Sequence, residues 1–290
     1  MAKLKIGIAT CDKFPNLAAD DLLFFEELQK QGTHPVPAIW NDRSVNWKEF
    51  DGVVIRSCWD YHHKPADFLN WLQQMETELV RIWNPVPVLR GNMRKTYLKA
   101  LQEKGFATVP TVFLERGSGT KISELLKKRN WTSAVVKPDI SASSFRTRLV
   151  SQEHADAEEH YFEELLRDSG VMVQPFLEEV AELGEWSFIF IDGRFSHAAL
   201  KRPKAGDFRV QDDFGGSQTL TTPSSSLLHA ATRFAETIPK PWLYARIDGV
   251  QLNETFTLME LELIEPSLFL ALEPPSAERF ARAALRKIAG

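Results

Sequence analysis

Acidic and basic side chains in the second half of the chain fall at spacings that suit phosphoryl chemistry. The densest group is Tyr244-Ala-Arg246-Ile-Asp248-Gly-Val-Gln-Leu-Asn-Glu-Thr-Phe-Thr-Leu-Met-Glu260-Leu-Glu262-Leu-Ile-Glu-Pro266, which reads as two strands joined by a turn. Strand side chains alternate, so Glu260 and Glu262 project from one face. A three-residue loop over Asn253 to Thr255 pairs Leu252 with Phe256 and sets Asp248 opposite Glu260 and Arg246 opposite Glu262. Three carboxylates and one guanidinium then share a patch. Such carboxylates repel unless a cation lies among them, and hard oxygen ligands suit Mg²⁺. The competing reading is a solvated face with cross-strand Arg–Glu pairing. The apolar flanks Ile247, Met259, Leu261, Leu263 and Ile264 favour a buried strand instead.

Three further segments carry chemistry more weakly. In Val135-Val-Lys137-Pro-Asp-Ile-Ser-Ala-Ser143-Ser-Phe145 a lysine leaves a strand into a small-residue loop, where an ammonium and backbone N–H groups can hold phosphate. Val171-Met-Val-Gln174-Pro-Phe176-Leu177-Glu178-Glu179 is an apolar strand that breaks at proline with acids just after it. Lys201-Arg-Pro-Lys-Ala-Gly-Asp-Phe-Arg209-Val-Gln-Asp-Asp-Phe-Gly215-Gly216 gathers basic residues and a Gly-Gly pair in one loop. Other patterns fall away. Gly117-Ser-Gly-Thr-Lys121 lacks the Gly-Lys-Ser/Thr ending of a phosphate loop, and no Gly-x-Gly-x-x-Gly follows the first strand. His62-His63 has no ligand partner at metal spacing, and Cys58 has no base near it in sequence.

The elements that must position these groups begin with strand–helix alternation. Strands are expected at Lys5 to Thr10, Pro35 to Trp40, Gly52 to Ser57 and Val80 to Trp83. Between them lie a helix from Leu17 to Lys30, carrying Leu22, Phe25 and Leu28, and one carrying Phe68, Leu69, Leu72 and Met75. This pattern argues for a small parallel sheet. Asn84-Pro-Val-Pro-Val marks a boundary, because X-Pro pairs favour extended backbone. A helix from Met93 to Lys104, strands at Thr111 to Leu114 and Ala134 to Lys137, and a helix around Ile122 to Lys128 follow. The last third reads as antiparallel, with a hairpin turning at Asp192-Gly193 and a terminal helix bearing Phe280, Ala284, Leu285 and Ile288. The expected division is 1–84, 85–172 and 173–290.

Composition narrows the function. A chain of 290 residues, 43% hydrophobic and 26% charged, is sized for two domains or three small lobes and excludes wholesale disorder. Lys+Arg 35 against Asp+Glu 39 gives −4, which disfavours nucleic acid or an anionic membrane as partner. The apolar run Phe188 to Ile191 is far too short to span a bilayer, and no signal-peptide pattern opens the chain. Two cysteines, Cys11 and Cys58, make neither a disulfide framework nor a Cys-rich zinc site. A cytoplasmic globular protein acting on a small molecule is expected, and a homo-oligomer is allowed.

Taken in order, Asn84-Pro, Arg94-Lys95 at a helix start, Val-Val-Lys137-Pro, Gln174-Pro-Phe-Leu, Gly184-Glu185, Phe208-Arg209-Val-Gln, Gly215-Gly216 and Arg246-Ile-Asp248…Glu260-Leu-Glu262…Pro266 resemble the ATP-grasp ligases. The nearest branch is the glutathione-synthetase-like one, and Ile55-Arg-Ser-Cys-Trp-Asp-Tyr61 resembles the start of its cycloserine-forming cyclo-ligases. The resemblance implies an α/β ATP-grasp fold, a small parallel N-terminal sheet plus two α+β lobes clasping ATP. It implies an acyl phosphate made from a carboxylate and displaced by an amine. By position Lys95 and Lys137 would meet the phosphates, with Ser143 and Lys201 also at the nucleotide. Backbone from Gln174 through Phe176 to Leu177 would face adenine, and Glu178 and Glu185 would lie near ribose. Arg209 and Arg246 would be catalytic, and Asp248, Glu260 and Glu262 would bind Mg²⁺. Three departures stand out: Arg94 where Asp usually precedes the first lysine, Glu262 where Asn is frequent, and a Ser-rich mobile loop. Arg56, Asp60 and Tyr61 are the substrate candidates, since ligands sit outside the carboxyl ends of parallel strands. Their alternative is packing of Trp59 and Tyr61 with an Arg56–Asp60 pair. A kinase on the same scaffold and a nucleotide-binding module without turnover are the competing functions.

Overall fold

In the computed structural model, which describes residues 3–204, 209–210 and 215–289, the N-terminal alternation folds into a parallel sheet. Strands β1 (Lys5–Thr10), β2 (His34–Ile39), β3 (Gly52–Ile55) and β4 (Ile82–Trp83) lie in the order β2-β1-β3-β4. Helix α1 (Ala19–Lys30) starts later than the sequence pattern suggests and buries Asp21, Phe24 and Leu28, leaving Leu22 exposed. The inward turn has a polar cause. Asp21 accepts from Arg56 Nε at 2.7 Å and from Ser57 Oγ at 2.6 Å, so this helix face is fixed by a buried ion pair as well as by apolar spacing. Helix α2 (Pro65–Thr77) packs Phe68, Leu72 and Met75 inward, as their spacing requires, and leaves Leu69 exposed.

After Asn84 the chain does not stay extended. Helix α3 (Val86–Met93) forms because Pro85 precedes it with extended backbone and Pro87 falls in its first turn, where a missing N–H costs no helical hydrogen bond. The helix expected from Met93 accordingly splits: α3 ends at Met93, Arg94 is extended, and α4 covers Tyr97–Glu103.

The second sheet is antiparallel, in the order β5-β8-β6-β7, from β5 (Val112–Leu114), β6 (Ser133–Pro138), β7 (Arg148–Ser151) and β8 (Val171–Pro175). Helices α5 (Ile122–Arg129) and α6 (Ala155–Asp168) cover it through Leu126, Phe162 and Leu165. The short α7 (Glu178–Glu182) leads into the third sheet. There β9 (Glu185–Ile191), β10 (Arg194–Arg202), β11 (Ser217–Leu220), β12 (Tyr244–Leu252) and β13 (Thr255–Glu262) run antiparallel in the order β11-β10-β9-β12-β13. Helix α8 (Ser225–Ala235) packs on its outer side, capped by Ser224 Oγ, which accepts from the Leu227 N–H. Asp192 and Gly193 both take positive φ at the β9–β10 turn, as a type I′ hairpin needs.

The β12–β13 hairpin departs from expectation in a compensating way. Its turn has two residues, Asn253 and Glu254, both at positive φ, and Leu252 pairs with Thr255 rather than Phe256. A bulge then inserts Met259, so the ladder steps from Gly249↔Leu258 to Asp248↔Glu260 and Arg246↔Glu262. The acidic register expected from sequence is therefore reached by a shorter loop plus one extra residue.

Helix α9 (Pro275–Ala289) returns to the first sheet. Phe280 stacks on Phe24 with ring centroids 4.2 Å apart, in a core that also holds Ile6, Ile8, Ile189 and Tyr244.

Candidate active site

Three polar side chains peg the end of β13. Asn92 of α3 donates to the Leu261 carbonyl and accepts from the Leu263 N–H, each at 2.9 Å. Tyr97 of α4 binds both backbone groups of Leu261. Asn84 bridges Tyr244 and Leu263, its Nδ2 donating to both carbonyls at 2.8 Å. These backbone clamps hold Glu260 and Glu262 toward a cleft of about 660 Å³ lined by strands of the second and third sheets and by connecting segments of the first lobe.

Cations interleave the acids there. Lys95 pairs with Glu260 and donates to the Ser141 carbonyl at 2.9 Å. Arg246 pairs with Glu262, binds Asp248 through Nε and Nη2, and donates to the Ser267 carbonyl. Lys201 bridges Glu185 at 2.5 Å and Asp248 at 3.2 Å. The electrostatics follow from this arrangement. Burial would raise Asp248, but Arg246, Lys201 and the Ser187 hydroxyl hold it well below the usual carboxylate range. Glu262 is pushed up to about 7 by burial, with Asp248 and Glu260 adding to the rise against Arg246. Lys137 is lowered by burial and by nearby Lys95, against the pull of Glu260.

Arg94, read from the sequence as a departure from the ATP-grasp pattern, ties the segment before α4 to the residue that follows β6. Arg94 Nη1 donates to Asp139 Oδ2 at 2.8 Å, and the Lys95 N–H donates to the Asp139 carbonyl at 2.9 Å, joining the start of α4 to the end of β6. The Ser-rich loop that follows carries positive φ at Ser143 and Ser144, where serine takes positions that glycine adopts at lower cost. Its Phe145 lies on His62 and His63, with ring centroids 5.0 and 4.5 Å away.

Of the residues singled out in the sequence, Tyr61, Lys95, Lys137, Ser143, Gln174, Phe176, Leu177, Glu185, Lys201, Arg209, Arg246, Asp248, Glu260 and Glu262 all line this cleft. Phe208 and Gln211, beside Arg209, lie outside the described residues. Glu178 is exposed at the start of α7 and is not among the lining residues. Arg56 and Asp60 do not line the cleft either, and they do not pair with each other. Arg56, 1% exposed, is taken by Asp21 and the Pro266 carbonyl, while Asp60 accepts from Trp40 Nε1 at 2.7 Å. Sequence reasoning passed over Asp20 and Glu265, both in the lining. A charged residue beside a proline, as in Glu265-Pro266, was the available signal for the second.

The donor set of Asp248, Glu260 and Glu262 has the hard-oxygen chemistry Mg²⁺ takes. Each of these carboxylates is drawn onto Lys95, Arg246 or Lys201. Among the described residues no three Asp, Glu, His or Cys side chains converge as an ion would require.

The three-sheet fold, with a cleft of alternating cations and carboxylates lined by the second and third sheets, is that of an ATP-grasp ligase, an enzyme that activates a carboxylate at the expense of ATP, as the following likenesses show. Residues 6–84 match the family described as D-cycloserine synthetase DcsG, N-terminal domain. The cycloserine biosynthesis protein DcsG of Streptomyces lavendulae is 29% identical over 267 residues, covering 86% of this chain and 87% of that protein. The crystal structure of D-cycloserine synthetase DcsG superposes with a TM-score of 0.88 at 26% identity, over 98% of this chain and 99% of that one. D-alanine–D-alanine ligase from Bacillus anthracis shares the fold, with a TM-score of 0.72 at 15% identity over 99% and 97% of the two chains. Within its class, the chain is an ATP-grasp ligase related to DcsG cycloserine synthetase. Among the described residues no helix is long and apolar enough to cross a membrane.

Proposed function

We propose that the cleft holds ATP between the second and third sheets and activates the carboxylate of a small amino-acid-like substrate as an acyl phosphate, which an amine then displaces. The observation that supports this most is Lys137. Its ammonium lines the cleft with no hydrogen-bond partner among the described residues, beside a Lys95 already neutralised by Glu260. A half-buried ammonium that opens on the cleft without a partner invites a counter-ion, and a polyphosphate supplies one.

On this reading Lys95, Lys137 and Ser143 meet the phosphates, and the backbone from Gln174 to Leu177 faces the base. Glu185 and Lys201 stand at the ribose side, with Glu178, exposed at the start of α7 directly after the lining residue Leu177, at the rim. Arg209 offsets charge on the phosphoryl group in flight, and Arg246 holds Asp248 and Glu262 in position. Asp248, Glu260 and Glu262 would hold Mg²⁺, which when bound neutralises phosphate oxygens. The chain's own work is alignment and exclusion of water. Likeness to a cycloserine synthetase favours a substrate carrying both carboxylate and attacking amine, so that displacement of phosphate closes a ring. The same reading divides the chain at 1–84, 85–172 and 173–290 and places it in the cytoplasm.

Thermal unfolding with and without nucleotide tests the placement. Mg²⁺-ATP at 100 times its Kd should stabilise the fold by about 2.7 kcal/mol. Lys137→Ala should lose most of that shift. An unchanged wild-type melting curve at millimolar nucleotide would overturn the reading.

A further inference from the structure

On the cleft wall formed by β9, β12, β13 and the segment that follows, each acid except one is matched. Glu260 has Lys95, Asp248 and Glu262 have Arg246, and Glu185 has Lys201. Glu265, three residues beyond the hairpin, also lines the cleft and is 8% exposed, yet its carboxyl has no ion pair or side-chain hydrogen bond among the described residues. The residue is not loosely held. Trp59 Nε1 donates to its backbone carbonyl at 2.9 Å, and the next carbonyl, of Pro266, accepts from Arg56 at 2.6 Å. Tyr61, 3% exposed, lines the same cleft, and its hydroxyl is without a partner among the described residues too. Trp59, two residues before Tyr61 in the chain, is the residue bonded to the Glu265 carbonyl, so the two side chains belong to adjoining stretches of the lining.

We propose that Glu265, with the Tyr61 hydroxyl of the same lining, receives the ammonium group of the substrate and so selects carboxylates that carry a free amine. The inference rests on the reading that the cleft takes an amino-acid-like carboxylate. A carboxyl buried except where it opens on the cleft, and without a counter-charge, is held in its charged form only at a cost, which the ammonium of such a substrate lowers. The carboxylate and phosphates find their counter-charge on the lysine side of the cleft, at Lys137. Burial, helped by Glu262 and Glu260, raises the Glu265 pKa well above its ordinary value, so an arriving ammonium restores the charged form.

The test uses hydroxylamine to trap activated acyl groups, with ADP release and hydroxamate measured together. The probes are D- and L-serine and D- and L-alanine against the matched 3-hydroxypropionate and propionate. Wild type should prefer the better amino acid over its des-amino partner by about 100-fold or more in kcat/KM, as sites built around a buried polar group do. Glu265→Gln, nearly isosteric, should reduce the preference to below about 10-fold while leaving the KM for ATP and the Mg²⁺ requirement unchanged. Tyr61→Phe should reduce it by a smaller factor. Equal use of amino and des-amino acids by wild type would overturn the proposal and leave carboxylate activation standing. So would a Glu265→Gln enzyme that keeps the wild-type preference, or one altered only in its Mg²⁺ requirement. ADP release with none of the carboxylates would overturn the amino-acid reading of the cleft itself.

Discussion

Lysines in this cleft differ by what they touch. Lys201 is locked between Glu185 and Asp248, Lys95 is shared by Glu260 and a loop carbonyl, and Lys137 faces the cavity. Burial works against the Lys201 charge, yet Asp248 and Glu185 hold its pKa above the ordinary lysine value, so it serves as a fixed counter-ion. Arg209 stands apart from these networks in sequence, in the segment between β10 and β11, and still reaches the cleft. Arg209→Ala should leave the nucleotide-induced melting shift nearly intact while lowering turnover by ~10²-fold or more, the loss seen when one donor to developing charge is removed. Calorimetric nucleotide affinity beside single-turnover ADP release measures the two separately. Equal loss of affinity and rate would make Arg209 a ground-state contact instead.

At the scale of elements, the hairpin shows how much was legible beforehand and where legibility stopped. Period-two alternation places Glu260 and Glu262 on one face whatever the loop length, so the acidic patch could be read from residue spacing. The turn length and the Met259 bulge could not, because two errors of one residue cancel in the pairing. Helix α3 escaped notice for a different reason: prolines at the start of a helix look like those of an extended linker. Arg56 looks like a site residue because it follows a parallel strand, yet its partner Asp21 sits on a helix that turns Asp21 and Phe24 inward where apolar spacing points to Leu22 and Phe25, with Leu28 buried in both. Long-range pairing of this kind leaves no local pattern. The contact of Phe145 with His62 and His63 was equally hidden, and it makes a prediction. Burial, with His63 and Lys95 nearby, lowers the His62 pKa to about 4. The native state therefore keeps His62 neutral where an unfolded chain, titrating near 6.5, would bind a proton. Its stabilising share is complete above pH 6.5 and is lost as pH falls toward 4, an effect on the order of 2 kcal/mol. Urea unfolding at pH 7, 5.5 and 4.5 should show a flatter pH dependence for His62→Phe than for wild type. Parallel curves would exclude the histidine as the source.

Across the whole molecule, α9 is the element that makes the first sheet dependent on the last residues described. Ile288 lies against Gly52, where an added Cβ would come within 2.6 Å of its side chain, and Arg81 Nη1 donates to the Ile288 carbonyl at 2.6 Å. With Phe280 stacked on Phe24, this seam closes the main core. Phe280→Ala should cost about 3–5 kcal/mol by the loss of a fully buried ring. Residues 1–84 alone should show no cooperative urea transition, which circular dichroism would detect; a sharp transition would show that the first sheet needs no partner. A temporal consequence follows for the living cell. The ribosome releases β1 through β4 well before α9, so Phe24 and Leu28 wait uncovered while two further sheets are translated. For that interval the nascent chain presents a sticky helix face to chaperones and to its neighbours on the same message.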